Sequence, residues 1–160
     1  MIIDDIDRQL MLYLLREGRI QTKALAERIG LSAPAVAERV RRLEDAGVIT
    51  GYAARIDLAK LGFGVQAFMR VAADAGRGPA LLKAFESCPE IQEVHKVTGD
   101  DSYVLRLTVK SVQDIESVVE RLSGAVRLST SVVLGTESDA DAAIERLLDR
   151  LPVKQSRAAP

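Results

Sequence analysis

The 160-residue chain has one cysteine, one histidine and no tryptophan, and its aromatic content is only 4%. The lone Cys88 excludes an intrachain disulfide and a cysteine zinc cluster. Nothing in the sequence brings His95 beside Cys88, so a Cys–His nucleophile is not supported and no catalytic residue is assigned. One histidine among scattered acids is a poor transition-metal signature, and neither a metal nor a cofactor is expected. His95 reads instead as a packed or hydrogen-bonding strand residue, and Cys88 as a small half-buried hydrophobe at a helix end. Apolar runs are short and repeatedly cut by Arg, Asp or Glu, far from the roughly 18 residues that suggest a membrane span. The opening MIIDDIDRQL carries acids where a signal peptide would carry positive charge, so the expectation is a cytoplasmic protein with no membrane partner.

What is present is a globular composition, 48% hydrophobic and 28% charged, with 22 basic residues against 23 acidic ones. The distribution is less neutral than the sum. Residues 19–60 hold eight basic side chains (Arg19, Lys23, Arg28, Arg39, Arg41, Arg42, Arg55, Lys60) against five acidic ones. Such an excess can seed a phosphate-facing surface if the arginines share a face.

Helical spacing runs from residue 4 to 16, with Asp4 or Asp5 as cap and Ile6, Leu10 and Leu14 on one stripe. Thr22 is expected to cap a short second helix that Gly30 stops, and that glycine permits the sharp turn into a third helix. Ser32 caps the third helix, Pro34 is tolerated in its first turn, and Val36, Val40 and Leu43 point inward. Its outer face then holds Ala35, Glu38, Arg39, Arg41, Arg42 and Asp45, with Ala33 near the start. The stretch VITGYAARIDL suggests two short strands or a strand with a turn, a wing flanked by Arg55 and Lys60. Together these features predict a winged helix-turn-helix over residues 1–62.

From residue 63 to 135 the pattern is β-α-β-β-α-β. Alternation at Val65, Ala67, Met69 and Val71 marks the first strand, and Ile115, Val118, Val119 and Leu122 mark the second helix. The fold class is therefore α+β, a winged helix-turn-helix followed by a ferredoxin-like βαββαβ domain. Such a sheet has helices on one face only, so its other face calls for a second copy, a homodimer. Residues 136–160 read as an acidic amphipathic helix, with Ile144, Leu147, Leu148 and Leu151 at helical spacing, then a disordered tail.

The first 62 residues closely resemble the winged helix-turn-helix of the Lrp/AsnC, or feast/famine, transcription regulators. The resemblance rests on Asp4, Asp7, Gly18-Arg19, Leu25-Ala26, Gly30-Leu31-Ser32, Arg39, Arg42-Leu43-Glu44, Gly47-Val48-Ile49 and Gly51-Tyr52. The second half is similar to that family's effector domain at Pro89-Glu90, at Val97 to Tyr103, at Gly124-Ala125-Val126-Arg127 and at Thr130-Ser131. It implies a double-stranded DNA-binding regulator that dimerises, often assembles to an octamer, and responds to a small effector, usually an amino acid. The effector cleft is implied at Thr98, Gly99, Asp100 and Asp101, with Tyr103 following and Thr130 and Ser131 adding hydroxyls. Members are expected to end soon after the last strand, so the C-terminal helix reads as an addition.

Thr22, Ser32, Ala33, Ala35, Glu38, Arg39, Arg41, Arg42 and Arg55 are the candidate DNA-binding residues. The arginines suit phosphates, Ala33 and Ala35 can pack on thymine methyls, and Glu38 can accept from cytosine. Ser32 is first a helix cap, and a salt bridge from Arg39 to Asp7 or Glu44 would make that arginine a support of the fold. Gly99-Asp100-Asp101 is first a hairpin turn. Its alternative role is Asp101 on an effector's ammonium group, with backbone amides near Gly99 on the carboxylate. Small side chains at the start of the third helix offer little base discrimination. An architectural DNA-binding protein with little effector response therefore stays open beside the regulator.

Overall fold

The computed structural model describes residues 2–74, 76–122, 126–138 and 140–152. Gly124 and Ala125 of the effector-domain resemblance, and the tail beyond Pro152 that is expected to be disordered, lie outside these. The described chain divides into two compact units, one running to Arg55 and resuming at Glu137, the other Ile56–Thr136.

The first unit opens with α1 (Asp5–Arg16), α2 (Thr22–Ile29) and α3 (Ala33–Asp45). Asp4 caps α1 by accepting from the Asp7 amide, and the Asp7 carboxylate returns a bond from the Asp4 amide, so two end amides are satisfied reciprocally. Thr22 does not cap α2. It is already the first helical residue, and Gln21 before it makes no side-chain cap bond. Gly30 takes the left-handed conformation at φ 76°, and its amide and that of Leu31 both bond the Ala26 carbonyl. This corner lets α3 turn across α2 around Leu10, Leu25, Ala26 and Val36. The Ser32 hydroxyl accepts from the Ala35 amide, and Pro34 sits in the first turn, where its missing N–H costs no intrahelical bond.

No wing hairpin forms between residues 48 and 57. Among the described residues, the backbone of 50–57 makes no hydrogen bond to another backbone group. Ala53 and Ala54 give little to pack on a strand partner, so side chains hold the segment instead. The Tyr52 hydroxyl donates to Glu44, and Arg55 pairs with Asp141. The fourth helix of this unit, α6 (Ala140–Leu148), comes from the far end of the chain and packs on α1. The Arg16 guanidinium bonds both oxygens of Glu145, and Arg8 bonds Asp149 at 2.7 Å. Leu147, assigned to the apolar stripe, is 64% exposed. Met11, Leu14, Val48, Ile49 and Ile144 line an open groove of about 840 Å³ within this unit.

The second unit runs β1 (Val65–Ala73), α4 (Gly78–Glu86), β2 (Ile91–Lys96), β3 (Tyr103–Val109), α5 (Gln113–Leu122) and β4 (Val126–Val132). The strands form one antiparallel sheet in the order β2-β3-β1-β4. This is the ferredoxin-like arrangement the sequence predicts. Ala67, Met69 and Val71 of β1 and Leu105, Leu107 and Val109 of β3 face a core closed by Leu81 and Phe85 of α4 and Ile115, Val118 and Leu122 of α5. Cys88 is fully buried in that core, and the Phe85 and Tyr103 rings meet edge to face at 5.4 Å. The opposite face carries no helix of this unit and leaves Phe68 44% exposed. No helix among the described residues is long and apolar enough to cross a membrane.

Candidate nucleic-acid interface and effector loop

The outer face of α3 is sorted by a single buried carboxylate. Asp7 is fully buried and receives two arginines: Arg39 at 2.8 Å, and Arg42 through Nη2 at 2.9 and 2.7 Å from its two oxygens. Arg39 also reaches Asp4 at 2.7 Å. Burial works to raise the pKa of Asp4, but the Asp7 amide and the Arg39 guanidinium outweigh it and hold the carboxyl below its ordinary range. Arg39 is thus held by Asp4 and Asp7, and Glu44 is taken up by Tyr52. Arg42 remains about half exposed, with Nε and Nη1 not engaged by Asp7.

Arg41 stands outermost. It bonds Glu38 at 2.8 Å and lies 3.6 Å from Asp45, all three well exposed on one helix. A phosphate competes easily with such surface pairs, whose net stability contribution is about 0–1 kcal/mol. Ala35 and Glu38 are exposed beside it, Ala33 packs partly against the core, and Thr22 is exposed at the start of α2. Arg55 is engaged by Asp141. Arg19 and Lys23, counted in the basic excess but not nominated, are exposed around the first turn of α2 with no described acidic partner. Their signal in the sequence is a pair of cations where the helix dipole disfavours them.

In the second unit the nominated effector residues do not form one cluster. Thr98, Gly99 and Asp100 are exposed on the β2–β3 turn, with Gly99 at φ 109°, and Asp101 is half-buried. Tyr103 pairs with Val71 and points into the helix-covered core, whereas Ser131 lies opposite Phe68 on the helix-free face. Thr130, opposite Met69, shares the side of Tyr103. Period-2 alternation already separates Thr130 from Ser131; placing Tyr103 against them required the register.

His95 bonds Glu93 at 3.1 Å, so its hydrogen-bonding reading is the one realised. Among the described residues no group of His, Cys, Asp or Glu is arranged to hold a metal. The Arg106 guanidinium, with His95 second, pulls Glu93 from its ordinary 4.5 down to about 2. A depressed carboxylate stabilises the fold above its ordinary pKa and loses that contribution as pH falls towards its folded one. Thermal midpoints of the wild type are therefore expected to fall from about pH 4.5 to 2 more steeply than those of Glu93→Gln. Parallel melting curves for the two proteins across that range would show that the exposed pair is screened out.

Three helices meeting at a glycine corner, with a largely solvent-facing α3 surface, joined to a βαββαβ sandwich, are the architecture of a DNA-binding regulator. Residues 3–50 match the winged helix-turn-helix DNA-binding family, and residues 66–151 match the Lrp/AsnC ligand binding domain. The chain belongs to the Lrp/AsnC family of transcriptional regulators. It is 38% identical to the uncharacterized HTH-type transcriptional regulator YezC of Bacillus subtilis, over 85% of this chain and 96% of that one. Its fold superposes on B. subtilis LrpC with a TM-score of 0.81 at 27% identity, covering 88% and 99% of the two chains. It also superposes on the feast or famine regulatory protein of Mycobacterium tuberculosis complexed with L-methionine, with a TM-score of 0.74 at 36% identity, over 86% and 95%. The ligand-domain match extends to residue 151, through α6. The C-terminal helix is therefore part of the family pattern and not an addition to it.

Proposed function

We propose that the protein binds double-stranded DNA as a homodimer, through α3, with an affinity set by a small zwitterionic effector, an amino acid, at the loop 98–101. The observation that carries the DNA reading is the graded α3 face: Arg42 pinned by Asp7 but half exposed, Arg41 outermost in an exposed pair with Glu38, and Ala35 exposed beside them. Arg41, Arg42, Arg19 and Lys23 supply phosphate contacts, which set affinity and register. Ala35 and Glu38 supply a thin base readout that DNA deformability supplements. Support for an amino-acid effector comes from the methionine complex of the M. tuberculosis relative. The helix-free sheet face supports a dimer, and an octamer built from four such dimers extends the same reading.

The test is a titration of the full chain against the duplex upstream of its own gene, at several salt concentrations and with each of the twenty L-amino acids. Site-preferring binding whose affinity changes with one or a few amino acids supports the regulator. Salt-sensitive binding indifferent to all of them favours an architectural protein, and no binding at low salt removes the DNA reading. Arg41→Ala is expected to keep the fold, weaken binding to all sequences alike and lower the slope of log affinity against log salt by about 1. An unchanged slope would place Arg41 away from the phosphates.

A further inference from the structure

We propose that Asp141 of α6 masks Arg55, a further phosphate-binding side chain beside α3, and so holds the DNA affinity of the first unit below what its arginines allow. This rests on the DNA reading above and adds a group that acts against it. α6 and the residue after it carry three acids at intervals of four, Asp141, Glu145 and Asp149. Each meets an arginine of the same unit: Arg55, Arg16 and Arg8 in turn. Residues 137–150 hold five acids and two arginines, an acidic excess that matches the basic excess of residues 19–60. The helix that completes the unit therefore also cancels its charge.

The three arginines are not equivalent. Arg8 and Arg16 belong to α1, and Arg8 is shared with Asp5. Arg55 ends the segment that flanks α3. The Tyr52 hydroxyl ties that segment to Glu44 in the last turn of α3, next to Asp45, which pairs with Arg41. Three residues of chain span at most about 10 Å, so Arg55 leaves the backbone close to that tie. A helix lying in the major groove, about 12 Å wide, has a phosphate backbone along each flank. A long arginine rooted beside the end of α3 is placed for that row.

What separates Arg55 from Arg41 is the partner. Arg41 and Glu38 are both open to solvent, so a phosphate displaces the carboxylate easily. Arg55 is as exposed as Arg41, but Asp141 is only 24% exposed and stands in the first turn of α6, where the helix dipole favours a carboxylate. A sheltered acid held by a helix end releases its cation less readily than an exposed one. Connectivity delivers it to this place: the chain leaves the first unit at Arg55 and resumes it at Glu137, so the pair clasps the exit to the return.

Duplex binding by the full chain, measured across a salt series, tests the mask in five proteins: wild type, Asp141→Ala, Arg55→Gln, the double variant and Asp149→Ala. The Arg16–Glu145 pair remains in all of them. Asp141→Ala is expected to tighten binding by about tenfold and to steepen the slope of log affinity against log salt by about 1, one further phosphate neutralised. Arg55→Gln alone should bind close to wild type, because its guanidinium is already taken, yet in the Asp141→Ala background it should abolish the gain. Asp149→Ala removes the same charge but frees no cation beside α3, so its slope should stay that of wild type. An equal gain in Asp149→Ala would reduce the effect to overall charge and overturn the mask. So would an Asp141→Ala protein that binds as wild type does, or one that keeps its gain without Arg55. Arg55→Gln weakening the wild type as strongly as Arg41→Ala would overturn it too, since Arg55 would already reach DNA. All of these leave the DNA reading intact, whereas no binding by the wild type at low salt removes both.

Discussion

Asp7→Ala is expected to lower the unfolding free energy of the helix-turn-helix unit by about 3 kcal/mol, the scale for breaking a buried charge pair. Asp7 is fully buried, accepts from both Arg39 and Arg42, and closes the α1 capping box on the Asp4 amide. Alanine leaves Arg39, about a quarter exposed, with Asp4 alone, and Arg42 with no carboxylate in place of Asp7. Both can still reach water, which keeps the cost at the lower end of the range. Asp7→Asn should cost nearly as much, because an amide places an NH2 where a guanidinium already donates. Asp5→Ala, which removes an exposed pair with Arg8, should change stability by less than about 1 kcal/mol. Denaturant titrations followed by circular dichroism read all three, and an Asp7→Ala midpoint equal to wild type would show that Arg39 and Arg42 re-pair at no net cost. DNA affinity measured where the variant is still folded should fall as well, since Arg42 loses the anchor that fixes its direction.

The elements of this fold were legible because their periods are clean. Val65, Ala67, Met69 and Val71 alternate and face the core, and Ile115, Val118 and Leu122 fall on one helical stripe. Ser32 and Pro34 mark the start of α3 for the same local reasons that the structure displays. What local pattern does not encode is which distant charges meet. Asp7 lies 32 residues from Arg39 and 35 from Arg42 along the chain, and the sequence offered Asp7 and Glu44 as equal partners for Arg39. The same holds for α6: its apolar spacing predicts a helix, but its place beside α1 depends on Arg8 and Arg16 meeting Asp149 and Glu145 across more than a hundred residues. The wing failed for the opposite reason. Residues 48–56 carry strand-like composition at their ends, but among the described residues no facing segment supplies the ladder a strand requires. At the effector loop the turn was evident from Gly99-Asp100-Asp101.

The largest change in assembly is expected from Phe68→Asp. Phe68 stands on the helix-free face, 44% exposed, opposite Arg106 on β3 and Ser131 on β4, with Val104 of β3 on the same face. A phenyl ring in such a setting contributes little to the fold of its own unit, because its burial waits on what covers the face. If a second copy covers it, the ring is a central aromatic anchor whose loss typically costs 2 kcal/mol or more, roughly a 30-fold weaker dimer. Aspartate adds a buried charge to that loss. It cannot borrow compensation from Arg106, whose guanidinium already serves Gln92 and Glu93. Sedimentation at micromolar concentration should therefore shift from dimer to monomer, while the melting curve of the isolated monomeric species keeps the cooperativity of an intact core built on Met69, Leu105 and Val118. DNA affinity should fall with dimerisation, since two half-sites held by one dimer bind with the linked concentration that separate units lack. A variant that stays dimeric would move the interface off this face.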